Sequence, residues 1–284
     1  MTELAHPAAP RSATRSGRDL PVATVVGLGL LAAVIASLFI RKEVFVAVAL
    51  VAVGAALWEL GQAFARRDIH LPLLPLLVGS VGILVSAYVA GSEALLVSFM
   101  LTAGGVVVWR VLDGDGSAAM KDSTAGIFAA AYLPFLAGFV MLMLSMPDGA
   151  RRVLLFVLLA VASDVGGYGA GVLFGRHPLA PSVSPKKTWE GLGGSVLLSC
   201  VVGAVGIGWG FSANPWIGVA LGLATVTTAT VGDLSESLIK RDLELKDMGS
   251  LLPGHGGVLD RIDSMLLTSP VVYLVLLVSL PVGD

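Results

Sequence analysis

The sequence predicts an all-α integral membrane protein, a polytopic bundle of about nine transmembrane helices with no soluble domain. Three observations carry this. Hydrophobic residues fill 56% of the 284 positions and charged residues only 13%, about half the roughly 25% charge of a soluble domain. Apolar runs of about twenty residues, the length a bilayer-spanning helix needs, recur from one end of the chain to the other. The charges gather in the intervals between those runs. A soluble globule, a disordered chain and a secreted disulfide scaffold are excluded. The lone cysteine, Cys200, leaves neither a disulfide nor a cysteine-ligated metal site.

Residues 1–20, with Pro7, Pro10, Arg11, Arg15 and Arg18, read as a polar, poorly ordered arm. The apolar run 21–40 exceeds the 7–15 residues of a signal-peptide core. It continues to Arg41-Lys42 without a small-residue cleavage pattern, so a retained first helix is expected. Further spans are expected near 44–64, 71–90, 93–112, 124–145, 153–175, 191–212, 214–232 and 264–280, making residues 21–284 one membrane domain. Glycines and polar residues interrupt the fourth, sixth and eighth. The turn between the seventh and eighth rests on Ser212-Ala213-Asn214-Pro215, because an Asn-Pro pair initiates turns.

Orientation follows from lysine and arginine, which concentrate in cytoplasmic loops. With nine spans, Arg41, Lys42, Arg151 and Arg152 fall on one side and the other 14 of the 18 basic residues fall on the opposite side. An eight- or ten-span arrangement scrambles this asymmetry. The arm and the even-numbered loops are therefore expected in the cytoplasm. They include the two longest polar stretches, 176–190 and 233–263, where any chemistry should sit.

The second stretch is dense in chemistry. Asp233, Ser237, Lys240 and Arg241 stand at i, i+4, i+7 and i+8, one face if the segment is helical. Asp260 and Asp263 share a face where the ninth span begins. Three carboxylates at a membrane boundary repel one another unless a cation neutralises them, and they suit magnesium, which takes oxygen ligands shared with substrate phosphates. Lys240, Arg241, Lys246 and Arg261 offer charge-assisted donors to phosphate oxygens. Gly256 and Gly257 beside His255 permit close backbone approach to a ligand. The plainer reading is a solvated interfacial loop whose charges cap helices; composition alone balances the two.

Two further groups stand apart. Asp164 lies within the sixth span, in Ser163-Asp164-Val165-Gly166-Gly167-Tyr168. An ionisable residue inside a span is a functional candidate, although a structural hydrogen bond to a polar bundle interior also accounts for it. The loop Ser184-Pro185-Lys186-Lys187-Thr188-Trp189-Glu190-Gly191 offers two lysines and two hydroxyls ahead of a glycine-rich helix start, where backbone N–H groups bind phosphate. Its plainer reading is a positive-inside anchor with Trp189 at the headgroups. Glu59, after Trp58 in the second span, is an intramembrane acid whose role stays open.

The run Ser237, Lys240-Arg241, Lys246-Asp247, His255-Gly256-Gly257, Asp260-Arg261-x-Asp263 resembles the signature of the phosphatidate cytidylyltransferase (CDP-diacylglycerol synthase) family without a gap. The resemblance reaches upstream through Ser184–Gly191 to Asp164, about the C-terminal 45% of the chain. It departs at Val165 and Gly167, where Thr and Ala are expected, so a hydroxyl after the aspartate is missing. The resemblance implies the reaction CTP + phosphatidate → CDP-diacylglycerol + pyrophosphate; the composition, rich in Ala, Val, Gly and Leu, points to an inner (plasma) membrane, and the basic asymmetry to a site facing the cytoplasm. The resemblance also implies magnesium, alone or with a second cation, held by Asp233, Asp260 and Asp263. Catalytic roles fall to these and to Lys240, Arg241 and Arg261. Substrate contacts fall to Asp164, Ser184, Lys186, Lys187, Thr188, Ser237, Lys246, His255, Gly256 and Gly257. A homodimer is implied too. The low aromatic content, without a stacking pattern, gives no basis for a nucleic-acid partner. An ion-coupled transporter using Asp164 and Asp233 is the competing class, and an enzyme acting on an isoprenoid lipid the nearer alternative.

Overall fold

The computed structural model describes residues 20–113, 118–245, 247–249, 251–252 and 256–280. Lys246 and His255 lie outside the described residues, as does the arm up to Arg18 and Asp19. The helices are α1 (Leu20–Ile40), α2 (Lys42–Ala65), α3 (Leu73–Leu112), α4 (Ala119–Ala130), α5 (Leu136–Ser145), α6 (Gly149–Phe174), α7 (Trp189–Val205), α8 (Pro215–Asp242) and α9 (Leu259–Ser279). A π-helical turn, Ala131–Phe135, joins α4 to α5 around Pro134, and a second, Gly206–Gly210, extends α7. Seven helical stretches among the described residues are long and apolar enough to cross a membrane.

One of the seven crosses twice. Along a straight helix Gly79 and Thr102 would stand about 34 Å apart, yet a side chain built on Gly79 would collide with that of Thr102. Ser86 and Ser98 share a hydrogen bond of 2.8 Å. The chain reverses at Gly91, whose φ of 83° and ψ of −163° belong to a region only glycine occupies readily. Thus α3 is a helical hairpin that supplies the expected third and fourth spans. With α3 counted twice the described residues hold eight candidate passes, and α1 adds the shorter apolar helix Leu31–Ile40, in keeping with the expected count of about nine.

Two expectations are revised by the polar stretches. The stretch 233–263 is not loop throughout: α8 continues to Asp242 and α9 begins at Leu259. The helix outlasts its apolar sequence because Asp233 to Asp242 keep one face against neighbouring elements, with Glu236 buried. The 176–190 stretch is also partly regular. It forms the antiparallel pair β1 (Pro178–Ala180) and β2 (Ser184–Thr188).

The bundle has two parts that meet on α9. Helices α6, α7, α8 and α9 pack side by side in sequence, and α5 and α2 close against α9. The α6–α7–α8 contacts use bare backbone. A Cβ on Gly166 would meet the Gly194 carbonyl, one on Gly203 the Gly218 carbonyl, and one on Gly222 the backbone of Ser199 and Cys200. Small residues at helix interfaces are how membrane bundles achieve close packing without a hydrophobic driving force between spans. Around the outside Val51, Val78, Val89, Leu101 and Val172 are exposed, as a lipid-facing surface requires.

The loops segregate as the basic residues foretell. At one end Arg67 donates to the Asp242 carbonyl at 2.9 Å and pairs with Glu244 at 2.8 Å, while Lys121 donates to the Arg67 carbonyl at 2.9 Å. There too Asp122, fully buried, pairs with Arg110 and accepts the His70 N–H at 2.8 Å. At the other end Lys42 donates to the Met146 carbonyl at 2.5 Å, and Arg152 pairs with Asp148 at 2.7 Å and donates to the Leu276 carbonyl at 2.9 Å.

Candidate functional site

The site opens at the basic end, between α6, β2, α8 and α9. A cleft of about 340 Å³ is lined by Asp164 from α6, Lys187 from β2, and Asp233, Glu236, Ser237 and Lys240 from α8. Asp247 from the following loop and Asp260, Arg261, Asp263 and Ser264 from α9 complete it. It adjoins a second cleft of about 210 Å³ that shares Asp164, Lys187 and Asp233 and continues between α6 and α7 past Gly167, Tyr168, Gly171, Lys186, Thr188 and Gly191.

Close helix packing brings the acids together. Gly232 lies against α9, and a Cβ there would stand 2.9 Å from the Asp263 carbonyl oxygen and 3.1 Å from the Ser264 Cα. The next residue on α8, Asp233, is thereby held beside Asp263, which is itself buried. Thr228 and Thr268 tie the same two helices with a 3.0 Å hydrogen bond one to two turns deeper. Asp164 reaches the cleft from α6, where its charge bears on those of Asp233 and Asp263.

Cations meet these acids from three elements. Lys187 Nζ donates to Asp233 Oδ2 at 2.5 Å, closing β2 onto α8. Lys240 Nζ bridges Glu236 Oε2 at 2.5 Å and Asp260 Oδ1 at 2.6 Å. Arg261 lines the cleft from the first turn of α9. Cations in such a cleft suit phosphate oxygens, while acids that face acids call for a positive counter-charge of their own.

The individual placements divide the residues singled out in the sequence. Asp260 is committed to protein donors: besides Lys240, its Oδ2 accepts the Gly257 N–H at 2.8 Å, and the Met248 N–H lies 3.2 Å from its Oδ1. Gly256, at φ 85°, and Gly257 let the chain wrap this carboxylate, since a Cβ on either would stand 3.0 Å from Asp260 Oδ2. Thr188 caps α7, its hydroxyl accepting the Gly191 N–H at 3.1 Å; such a cap satisfies a helix-end donor. Ser184 pairs with Ala180 in the β-hairpin and is not brought to either cleft. Arg241 is turned away as well, donating to the Ser182 carbonyl, so it braces the hairpin against the end of α8.

Glu236 was not singled out in the sequence. It is buried and holds Lys240, its carboxyl lies close enough to Asp263 for their charges to bear on each other, and its Oε1 lacks a hydrogen-bond partner among the described residues. The signal was present: it stands three residues after Asp233 and four before Lys240, on the same helical face. Asp247, part of the quoted signature, also lines the cleft.

Among the described residues no three acid, histidine or cysteine side chains converge tightly enough to hold a metal ion as they stand. The donor chemistry still fits a hard cation. The cleft presents carboxylates from α6, α8 and α9, one of them with an unpartnered buried oxygen, and it is large enough for an ion that retains waters, as magnesium does.

The profile of the cytidylyltransferase family matches residues 21–279. Proteins named phosphatidate cytidylyltransferase from Mycobacterium leprae and Mycobacterium bovis are 36% and 37% identical to this chain over 281 and 279 residues, covering 94% and 93% of it and 90% of each relative. The protein of that name from Haemophilus influenzae is 35% identical over 272 residues, covering 85% of this chain and 93% of its own length. An all-helical bundle of long apolar helices and a match across nearly the whole chain agree: this protein belongs to the cytidylyltransferase family.

Proposed function

We propose that the protein is a multi-pass membrane enzyme that transfers the cytidylyl group of CTP to phosphatidate, giving CDP-diacylglycerol and pyrophosphate. The observation that carries this reading is the meeting of Asp233 and Asp263 with Lys187 and Arg261 in one cleft at the end of the spans. There a lipid headgroup and a water-soluble nucleotide can meet while the acyl chains stay in the bilayer.

The chemistry asks little of a base. The second ionisation of a phosphate monoester falls near pH 6, so the lipid phosphate oxygen is already an anion when it attacks the α-phosphorus of CTP. One P–O bond forms, the bond to the β-phosphate oxygen breaks, and pyrophosphate leaves with the electron pair. The barrier lies in joining two polyanions and in the charge building on the leaving group, which fixed cations offset. Lys187 from β2 and Arg261 from α9 line the same cleft and are the cations assigned to phosphates. Magnesium, held by Asp233 and Asp263 with Glu236 behind them, would neutralise phosphate charge and orient the leaving group. Asp260 serves through Lys240 and the 256–257 turn rather than as the first choice of ligand.

Because the cleft lies at the end rich in lysine and arginine, the positive-inside rule supports a cytoplasmic site in the inner (plasma) membrane. The family resemblance supports a homodimer, which light scattering in detergent measures. The decisive test is radiolabelled CTP with phosphatidate and magnesium in detergent. CDP-diacylglycerol is expected, with chelator abolishing it, and Asp263→Asn should abolish turnover while the protein stays folded. Folded protein that forms no CDP-lipid, or that labels an isoprenoid acceptor instead, rejects the reading; ion flux in liposomes would favour transport.

A further inference from the structure

Glu59 lies on α2, in the half of the chain that carries no part of the signature, roughly 9 Å of helix rise before the end of α2 at Ala65. It is 1% exposed. Its Oε2 accepts the N–H of Leu259, a residue 200 positions away, at 3.0 Å. Leu259 is the first residue of α9, and the residue before it, Val258, supplies no side-chain cap. The first N–H groups of a helix have no partner within the helix, and a carboxylate at that end also meets the favourable end of the helix dipole. Here the capping group comes from another helix.

The fit around Glu59 is specific. A Cβ on Gly257 would stand 2.6 Å from its Oε2, and one on Gly249 would collide with its Oε1. Both glycines belong to the segment that leads into α9, and Gly257 is also the residue whose N–H binds Asp260. The Glu59 carboxyl therefore fills the space that two missing side chains leave, directly behind the turn that wraps Asp260, a residue of the cleft lining. Arg261 and Asp263 follow Leu259 by two and four residues on a continuous helix, so the depth and rotation of α9 at Leu259 are passed to them rigidly.

We infer that Glu59 is a positioning residue for the cytidylyl transfer proposed above: by capping α9 from α2 it sets where Arg261 and Asp263 stand relative to Asp233 on α8. The N-terminal spans are thereby part of what aligns the site, although among the described residues they contribute none to its lining.

The inference rests on the proposed activity, and its test separates the two. Wild type, Glu59→Ala, Glu59→Gln and Gly257→Ala are purified in detergent, and kcat and KM for CTP and phosphatidate are normalised to folded protein. Hydrogen exchange at the Leu259 amide is followed in parallel. Misplacement of a reacting group by about 1 Å costs on the order of 100-fold in rate, so Glu59→Ala should lose about that much kcat with KM little changed, and Leu259 should exchange faster. Glu59→Gln keeps a carbonyl acceptor of the same reach and should restore both. Gly257→Ala pushes the turn off Glu59 and should repeat the kcat loss, which covers the case where Glu59→Ala does not fold. Unchanged kcat per folded molecule in either Glu59→Ala or Gly257→Ala, or Glu59→Gln as slow as Glu59→Ala, overturns the inference. A wild type without CDP-lipid product rejects the activity instead; in that event unchanged Leu259 exchange in Glu59→Ala overturns the cap, and faster exchange sustains it.

Discussion

Replacing Lys240 by methionine removes one ammonium from between two carboxylates whose side chains are 3% and 4% exposed, Glu236 and Asp260. At 2.6 Å and an effective dielectric of 20, the Lys240–Asp260 pair attracts by about 6 kcal/mol. Most of that offsets desolvation, so the net is better judged from what happens when one partner of a buried pair is lost, about 3–5 kcal/mol. Lys240→Met should therefore destabilise the protein by about 3–5 kcal/mol, read from tryptophan fluorescence during unfolding in mixed micelles. Adding Asp260→Asn, which deletes the stranded charge and keeps an oxygen acceptor for the Gly257 N–H, should recover roughly half of the loss. The reasoning fails if Lys240→Met stays within about 1 kcal/mol of wild type and only raises KM for CTP. That pattern would make Lys240 a phosphate ligand, as its place in the signature implies, and not the counter-ion that the structure draws.

Two other perturbations separate stability from rate. Lys187→Met breaks an ion pair whose partners are 28% and 29% exposed; such a pair contributes at most about 1 kcal/mol, so the melting temperature should hardly move while KM for CTP rises about tenfold in steady-state assays. Gly91→Ala forces alanine into the φ of 83° at the tip of the α3 hairpin and should cost about 1–3 kcal/mol in the same unfolding assay, with kcat unchanged because the tip lies at the end of the bundle away from the cleft.

Hydropathy made the spans legible because lipid demands long apolar runs, and it reported boundaries poorly for the same reason. It stops at Gly232, where charge begins, whereas α8 continues ten residues further, its charged turn stabilised by contacts that no hydropathy window registers. The reversal at Gly91 left only a gap between two runs, since a backbone angle has no hydropathy. The site's acids were readable from their crowding near hydrocarbon. How they divide was not: Asp233, Asp260 and Asp263 look equivalent in sequence, and only the positions of Lys240, Met248 and Gly257 show Asp260 surrounded by protein donors. Glu236 was visible through its spacing from Asp233 and Lys240. Glu59 was visible as an acid within a span, but its partner Leu259 is an apolar residue that acts through its backbone and leaves no mark in the pattern.

The glycine contacts between α6, α7 and α8 have a consequence for how tightly a ligand can be held. One wall of the smaller cleft is peptide backbone at Gly167, Gly171 and Gly191, without side chains that must be frozen when something docks there. Immobilising a rotamer-rich side chain costs a binding event about 0.5–1.5 kcal/mol each. A surface of bare backbone is rigid before the encounter, so contact with it incurs none of that entropy loss.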